Sequence, residues 1–150
     1  LKAQLSAHAK LICVFGCGGN RDAGKRPIMG SIASQYADII VLTNDNPRHE
    51  VANDILQAIQ AGFKVGFNEF NIVPDRKEAI FSAVSQATIG DIVIIAGKGH
   101  EDYQDIAGVK TPFSDIAIAQ ASLDVIAPVY EGLNGFSQTP PVRAVKGQLQ

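Results

Sequence analysis

The feature that most constrains the fold is a regular alternation of short, mainly apolar runs with segments of helical periodicity. The apolar runs, rich in Val and Ile, occupy residues 11–15, 39–43, 70–73 and 91–96. The helical patterns occupy residues 27–36, 50–61, 75–87 and 114–126. Runs that are apolar on both faces are typical of buried parallel strands, which helices connect by right-handed crossovers. The sequence therefore predicts an α/β fold: a Rossmann-like, mostly parallel sheet flanked by helices.

Turn-forming and capping residues refine this prediction. Pro27 stands in the first turn of the first predicted helix, Gly62 is suited to cap the end of the second, and Asp75 is suited to cap the start of the third. Segment 105–113 carries Gly108 at its centre. That pattern predicts a hairpin that adds an antiparallel edge to the sheet.

Length and composition indicate one domain followed by a tail. The chain has 150 residues, of which 46% are hydrophobic and 19% are charged, an ordinary globular composition for a single domain. From Pro128 onward Gly and Pro punctuate the sequence without periodicity. We therefore expect the domain to span residues 1–127 and residues 128–150 to form a surface tail, in part disordered.

Charge and hydropathy exclude several classes of partner. The formal net charge is −2, so no global basic field exists to attract nucleic acid. No apolar run reaches the ~18 residues of a transmembrane helix, so we expect no membrane partner. Cys13 and Cys17 are too few for a disulfide framework or a zinc site, and two free thiols suit a cytoplasmic location.

Three polar loops follow the predicted strands, and these are the candidate functional segments. They occupy residues 16–26, 44–50 and 97–103. In open α/β sheets, ligands bind at the carboxyl ends of the strands. Glycine, charge and amide groups concentrated at these ends therefore indicate a ligand site.

The first loop matches no complete nucleotide motif. It opens with Gly16 and Gly18, but Arg21 occupies the third glycine position of a dinucleotide fingerprint. Gly-Lys at 24–25 is followed by Arg26, where a phosphate-binding loop has Ser or Thr. Two readings stay open: an anion site formed by glycine N–H groups with Arg21, Lys25 and Arg26, or a strand–helix turn with solvated charges.

The other two loops carry groups suited to an amino acid. Asp45 can bind an ammonium group and Arg48 a carboxylate, although turn formation also accounts for Asp and Asn at 44–46. Arg48 is unexpected in the first turn of a helix, where positive charge opposes the helix dipole. His100 and Glu101 follow the most apolar strand. No Ser or Cys nucleophile motif stands near them, so no catalytic residue is assigned.

Three motifs on these loops resemble one known family. Cys-Gly-Gly-Asn-Arg-Asp-x-Gly-Lys-Arg-Pro at 17–27, Asp-Asn-Pro-Arg at 45–48 and Gly-Lys-Gly-His-Glu at 97–101 are similar to motifs in the C-terminal domain of Mur ligases of the MurE type. These enzymes are UDP-N-acetylmuramoyl-L-alanyl-D-glutamate ligases that add the third residue of the peptidoglycan stem peptide. The resemblance runs from about residue 11 to residue 126.

The resemblance implies a mechanism. ATP phosphorylates the D-glutamate carboxylate of the UDP-N-acetylmuramoyl dipeptide, and the incoming amine attacks the acyl phosphate, while Mg²⁺ bridges nucleotide and substrate. Asp-Asn-Pro-Arg resembles the version of the motif that selects meso-diaminopimelate. This amino acid carries a distal carboxylate that lysine lacks, and Arg48 is expected to pair with it.

The resemblance also implies the site residues. Those expected to bind the amino acid are Arg21, Asp45, Asn46, Arg48, Gly97 and Glu101; those expected to contact nucleotide are Asp22 and Lys25. In this family the motifs for ATP, Mg²⁺ and the UDP-sugar belong to central and N-terminal domains. None occurs here, so no metal ligand is assigned and the chain alone is expected not to turn over. Asn20 and Asn44 stand where this family often has acidic residues, which lowers the local negative charge.

Other functions stay open on the sequence alone. One alternative is a lysine-adding ligase or another Mur-type enzyme, such as a folylpolyglutamate synthetase. Another is a stand-alone phosphate- or nucleotide-binding α/β module. A third is an interaction domain whose loops bind no small molecule.

Overall fold

The computed structural model describes residues 9–134, with side chains up to residue 127. In chain order the elements are β1 (Leu11–Phe15), α1 (Lys25–Tyr36), β2 (Ile39–Leu42), α2 (Ala52–Gln60), β3 (Phe70–Ile72), α3 (Arg76–Gln86), β4 (Ile92–Ile95), β5 (Tyr103–Ile106), β6 (Val109–Pro112) and α4 (Asp115–Asn134). Strands β1 to β4 form one sheet in the order β3-β2-β1-β4, and every neighbouring pair is parallel. The predicted Rossmann-like sheet flanked by helices is confirmed.

This strand order creates a topological switch point between β1 and β4. The strands β2 and β3 lie on one side of β1, and β4 lies on the other. Connections that leave such a point in opposite directions open a crevice at the carboxyl ends of the strands. The loops after β1 and β4 are therefore placed on either side of a crevice.

Helices cover both faces of the sheet. Successive strand residues point to opposite faces, so Ile12 and Val14 enter one core whereas Cys13 and Phe15 enter the other. The first core is completed by α3 and α4, and the second by α1 and α2. Complete burial of one large aliphatic side chain stabilises the fold by about 1.5–3 kcal/mol. Two cores therefore hold the strands, and with them the starting points of the functional loops.

The helix termini follow the predicted chemistry in part. Asp75 caps α3 as expected, because its side chain accepts a hydrogen bond from the Glu78 N–H at 2.9 Å. Pro27 lies in the first turn of α1. The prediction for Gly62 is wrong, since Ala61 is the C-cap of α2. Gly62 is needed instead where α2 meets α1, because a Cβ there would lie 1.8 Å from the Pro27 carbonyl oxygen.

The predicted hairpin is present, but it does not extend the main sheet. Strands β5 and β6 pair only with each other, in a separate two-stranded antiparallel sheet. Main-chain hydrogen bonds join it to the second loop: the Arg48 N–H donates to the Asp105 carbonyl at 3.1 Å, and the Ala107 N–H donates to the Arg48 carbonyl at 2.7 Å. The hairpin therefore lies beside the candidate site rather than at a sheet edge.

Helix α4 is longer than its sequence pattern predicts. The helical periodicity of the sequence ends at residue 126. Pro128 follows shortly after, and proline disfavours a helix interior because it removes a helical hydrogen bond. The helix nevertheless continues to Asn134. The start expected for the tail at residue 128 thus falls inside a helix, and residues 135–150 lie outside the described residues, so the extent of the tail stays a prediction.

Candidate functional site

A cavity of about 610 Å³ lies at the carboxyl ends of the parallel strands. It is lined by residues of all three predicted loops and by Met29, farther along α1: Gly16, Cys17, Gly18, Arg21, Asp22, Lys25, Met29, Asp45, Gly97, Lys98, Gly99, His100 and Glu101. Its wall thus carries cationic and anionic side chains within one space. Such a wall suits a ligand that bears both charges.

The first loop contributes three exposed charged residues that line the cavity: Arg21, Asp22 and Lys25. The Asp22 carboxylate accepts a hydrogen bond from the Gly24 N–H at 2.9 Å, which fixes the turn before α1. Arg26 is buried and does not take part in the predicted anion site. Its guanidinium forms an ion pair with Glu50 at 2.8 Å.

Several N–H groups of the first loop are already hydrogen-bonded within the protein. The Gly19 N–H donates to the Asn46 carbonyl at 2.8 Å, and the Asn20 N–H donates to the Glu50 carboxylate. A Cβ at Gly19 would lie 1.9 Å from the Pro47 carbonyl oxygen. Glycine is therefore required there for packing of the first loop on the second, and the predicted cradle of free N–H groups is reduced.

Asp45 is the buried anion of the cavity wall. Its Oδ1 lies 3.3 Å from Lys98 Nζ in an ion pair, although no donor among the described residues reaches that oxygen in hydrogen-bond geometry. Burial raises the pKa of the Asp45 carboxyl above its ordinary value, and the positive charges of Lys98 and Arg76 limit the increase. Because Asp45 lines the cavity, its carboxylate is placed to accept a hydrogen bond from a ligand.

Asn46 is almost fully buried and connects the loops. Its side-chain Nδ2 donates to Glu101 Oε2 at 2.7 Å, and its Oδ1 accepts hydrogen bonds from the Asp105 N–H and from Lys98. Asn46 itself is not among the residues that line the cavity. It therefore acts on the cavity by holding Glu101 in the wall.

The position of Arg48 differs from the prediction. It has a φ of +53° and precedes the first residue of α2, Ala52, by four positions. The argument from the helix dipole is therefore wrong. Arg48 Nη1 donates to the Gly19 carbonyl at 2.7 Å. Arg48 does not itself line the cavity. It lies next to a residue that does, Gly18, because a Cβ built on Gly18 would be 2.9 Å from Arg48 Nη1.

The third loop depends on two glycines in the left-handed region. Gly97 has a φ of +122° and Gly99 a φ of +55°, conformations that favour glycine. A Cβ at Gly97 would lie 3.6 Å from Asp45 Cγ and 3.7 Å from Arg76 Nη2. Gly97, His100 and Glu101 all line the cavity.

Sequence reasoning missed three charged residues in or next to the cavity wall: Lys98, Arg76 and Asp115. Lys98, with a relative exposure of 2%, contacts groups of the second and third loops. Arg76 forms a bidentate ion pair with Asp115, at 2.8 and 2.7 Å, and also donates to the Ala96 carbonyl. For Lys98, the available signal was a lysine between two glycines directly after an apolar strand. No sequence pattern pairs Arg76 with Asp115, which lies 39 residues away.

Metal and thiol chemistry find no support in the described part of the chain. Within it, no group of three or more His, Cys, Asp or Glu side chains is arranged to hold a metal ion. Burial raises the pKa of the Cys17 thiol, which lines the cavity, to about 11. No helix among the described residues has the length and apolar character needed to cross a membrane.

Comparison with known proteins identifies the family. The family described as "Mur ligase, glutamate ligase domain" matches residues 1–99, about two thirds of the chain. This chain belongs to that family. The Mur-type resemblance of the loop motifs is confirmed, and the cavity described above is the candidate site of a Mur ligase domain.

Two similar proteins and one solved structure share the same ligase name. The UDP-N-acetylmuramoyl-L-alanyl-D-glutamate–2,6-diaminopimelate ligase of Chromobacterium violaceum is 54% identical over 117 residues, which are 78% of this chain and 23% of that protein. The ligase of the same name from Pseudomonas aeruginosa is 50% identical over 117 residues, 78% of this chain and 24% of that protein. A solved structure of such a ligase matches with a TM-score of 0.77 and 43% identity, over 83% of this chain and 25% of that one. The chain thus spans about a quarter of the length of these relatives.

Proposed function

We propose that this chain is the C-terminal, amino-acid-recognition domain of an ATP-dependent ligase that adds meso-diaminopimelate to UDP-N-acetylmuramoyl-L-alanyl-D-glutamate in peptidoglycan synthesis. The observation that carries this proposal is the cavity at the switch point, because its wall presents Arg21 together with Asp45 and Glu101. An amino acid with two carboxylates and two ammonium groups needs both signs of charge around it. The names of the relatives support the same substrate.

The family motifs imply the binding roles proposed next, and the places of Arg21, Asp45, Gly97 and Glu101 in the cavity wall support them. Asp45 and Glu101 bind the amine-bearing end of diaminopimelate, with Asn46 and the backbone of Gly97 orienting it. Arg21 binds a carboxylate. Arg48 pairs with the distal carboxylate, since its guanidinium has five N–H donors and one hydrogen bond to Gly19 leaves the others available.

Asp22 and Lys25 contact ATP when this domain closes against the nucleotide. Both side chains are exposed at the cavity. We assign Mg²⁺ and the UDP-linked dipeptide mainly to the rest of the ligase, as the family resemblance implies. The proposed location is the cytoplasm, where the nucleotide-linked precursor is made.

The test is substrate selection by the complete ligase. Arg48→Ala is expected to raise the KM for diaminopimelate by at least roughly 10- to 100-fold, because removing one partner of a desolvated charge pair costs about 2–5 kcal/mol. Lys10→Ala serves as the charge-matched control, since Lys10 is exposed and precedes β1, at the end of the strand opposite the cavity. Steady-state assays of the wild type and of each variant measure the KM for diaminopimelate and the KM for lysine. Equal use of diaminopimelate and lysine, before and after the change, contradicts the proposal.

A further inference from the structure

Lys98 is a buried cation at the centre of the site, and the function proposed above gives it no role. Its side chain is 1% exposed, and it follows β4 between the left-handed Gly97 and Gly99. A buried charge is strongly unfavourable unless other groups pair with it. What Lys98 contacts therefore indicates what it does.

Four oxygen atoms from three chain segments surround the Lys98 ammonium group. Nζ donates to Asn46 Oδ1 at 2.9 Å and to the Tyr103 carbonyl at 2.7 Å. Asp45 Oδ1 lies at 3.3 Å and Glu101 Oε2 at 3.9 Å. Lys98 thus joins the second loop, the third loop and the first strand of the hairpin at one atom.

The contacts with Lys98 and with the Asp105 N–H together decide how the Asn46 amide is oriented. An ammonium group is only a donor, so it selects Oδ1 rather than Nδ2. The Asp105 N–H donates to the same Oδ1 at 2.9 Å. With Oδ1 held by two donors, Nδ2 is directed at Glu101 Oε2, 2.7 Å away. Lys98 therefore holds the Glu101 carboxylate in the cavity wall in two ways: with Asp105 it orients the Asn46 amide, and its own Nζ lies 3.9 Å from Glu101 Oε2.

Lys98 also favours the ionised form of Asp45. The groups that face Asp45 are Lys98 and Glu101 of the third loop, Arg76 of α3 and the Cys17 thiol of the first loop. Lys98 contributes the largest of the charge interactions that lower the pKa of Asp45, while burial and Glu101 raise it. Without Lys98 the carboxyl would take up a proton at higher pH, and a neutral carboxyl binds ammonium more weakly.

We propose that Lys98 is a positioning residue of the amino-acid subsite, where its ammonium group fixes the Asn46 amide and holds Asp45 and Glu101 together in the cavity wall. This inference rests on the proposed function. It assigns to Lys98 an effect on the amino acid that is larger than its effect on ATP or on the UDP-linked substrate.

The test compares Lys98→Met with Lys110→Met in the complete ligase. Lys110 is the matched control because both lysines lie near the Tyr103 ring: Lys110 Nζ is 4.4 Å and Lys98 Nζ 6.0 Å from its centre. Unlike Lys98, Lys110 is exposed and does not line the cavity. Lys98→Met is expected to raise the KM for diaminopimelate roughly 10- to 100-fold, the effect seen when a partner that orients a ligating side chain is lost. The KM for ATP should change less than about 3-fold. At acidic pH, 1/KM for diaminopimelate should rise with pH as Asp45 ionises, and in Lys98→Met this rise should occur at higher pH than in the wild type.

Lys98→Arg keeps the positive charge and provides a second measurement if Lys98→Met does not fold. Its planar donors do not match the positions of these oxygen atoms, so an increase in KM of roughly 3- to 10-fold is expected. An unchanged KM for diaminopimelate in the folded Lys98→Met protein, or in Lys98→Arg where Met does not fold, overturns the inference. A wild-type ligase that does not add diaminopimelate refutes the proposed function itself, which separates the two failures.

Discussion

Removal of the Asp115 carboxylate is expected to destabilise the domain strongly. Asp115 is the first residue of α4 and holds Arg76, the first residue of α3, through two hydrogen bonds of 2.7 and 2.8 Å. The Arg76 side chain is 0% exposed, and its Nη1 makes no hydrogen bond to the described residues. Asp115→Ala therefore leaves a buried guanidinium with one remaining acceptor, the Ala96 carbonyl at 3.0 Å.

Loss of one partner from a buried ion pair costs about 3–5 kcal/mol. The free energy of unfolding falls by about 2 kcal/mol per M urea for a domain of this size, so the urea concentration at the unfolding midpoint should fall by roughly 1.5–2.5 M. Both faces of the sheet are covered by helices of this chain, so the measurement suits the isolated 150-residue chain. Far-UV circular dichroism follows the transition.

Asp124→Ala is the matched control. Asp124 lies on the same helix, is exposed, and accepts one hydrogen bond from Gln120 at 2.9 Å. Its removal should change the free energy of unfolding by no more than about 0.5 kcal/mol. If Asp115→Ala also costs less than about 1 kcal/mol, the burial argument for Arg76 is refuted.

Two further predictions concern reactivity. Because burial raises the pKa of Cys17 to about 11, its alkylation by iodoacetamide at pH 8 should be roughly 100-fold slower than that of a cysteine peptide; peptide mapping by mass spectrometry measures the rate, and equal rates contradict the prediction. The isolated chain should release no phosphate from ATP above background in any mixture of substrates, because the proposed function assigns most of the ATP site and Mg²⁺ to other domains of the ligase. Phosphate release in proportion to the amount of purified chain would contradict that.

The elements of the fold could be predicted because their signals are local. The strands are apolar on both faces, and Asp75 caps α3 through a neighbour only three residues away. The hairpin was predictable from Gly108, which has a φ of +80°. Its placement was not, because the contact of Arg48 with Asp105 and Ala107 joins segments that are distant in sequence.

The site could be predicted as a set of loops, but the arrangement within it could not. Arg48 was placed in the first turn of a helix, since the sequence does not show that its backbone is left-handed and that α2 starts later. Lys98 was within a motif, yet only the structure shows that it is buried against Asp45 and Asn46. Burial and pairing over long sequence separations are tertiary properties, and no local pattern encodes them.

The hydrogen bonds between the loops have a consequence for engineering the specificity of this site. Gly19 both donates to Asn46 and accepts from Arg48, and Asn46 in turn holds Glu101. A single loop grafted from a relative that uses another amino acid would break these links and displace the two loops left in place. Exchange of all three loops together keeps the hydrogen bonds between them, so the three loops should be transplanted as one unit.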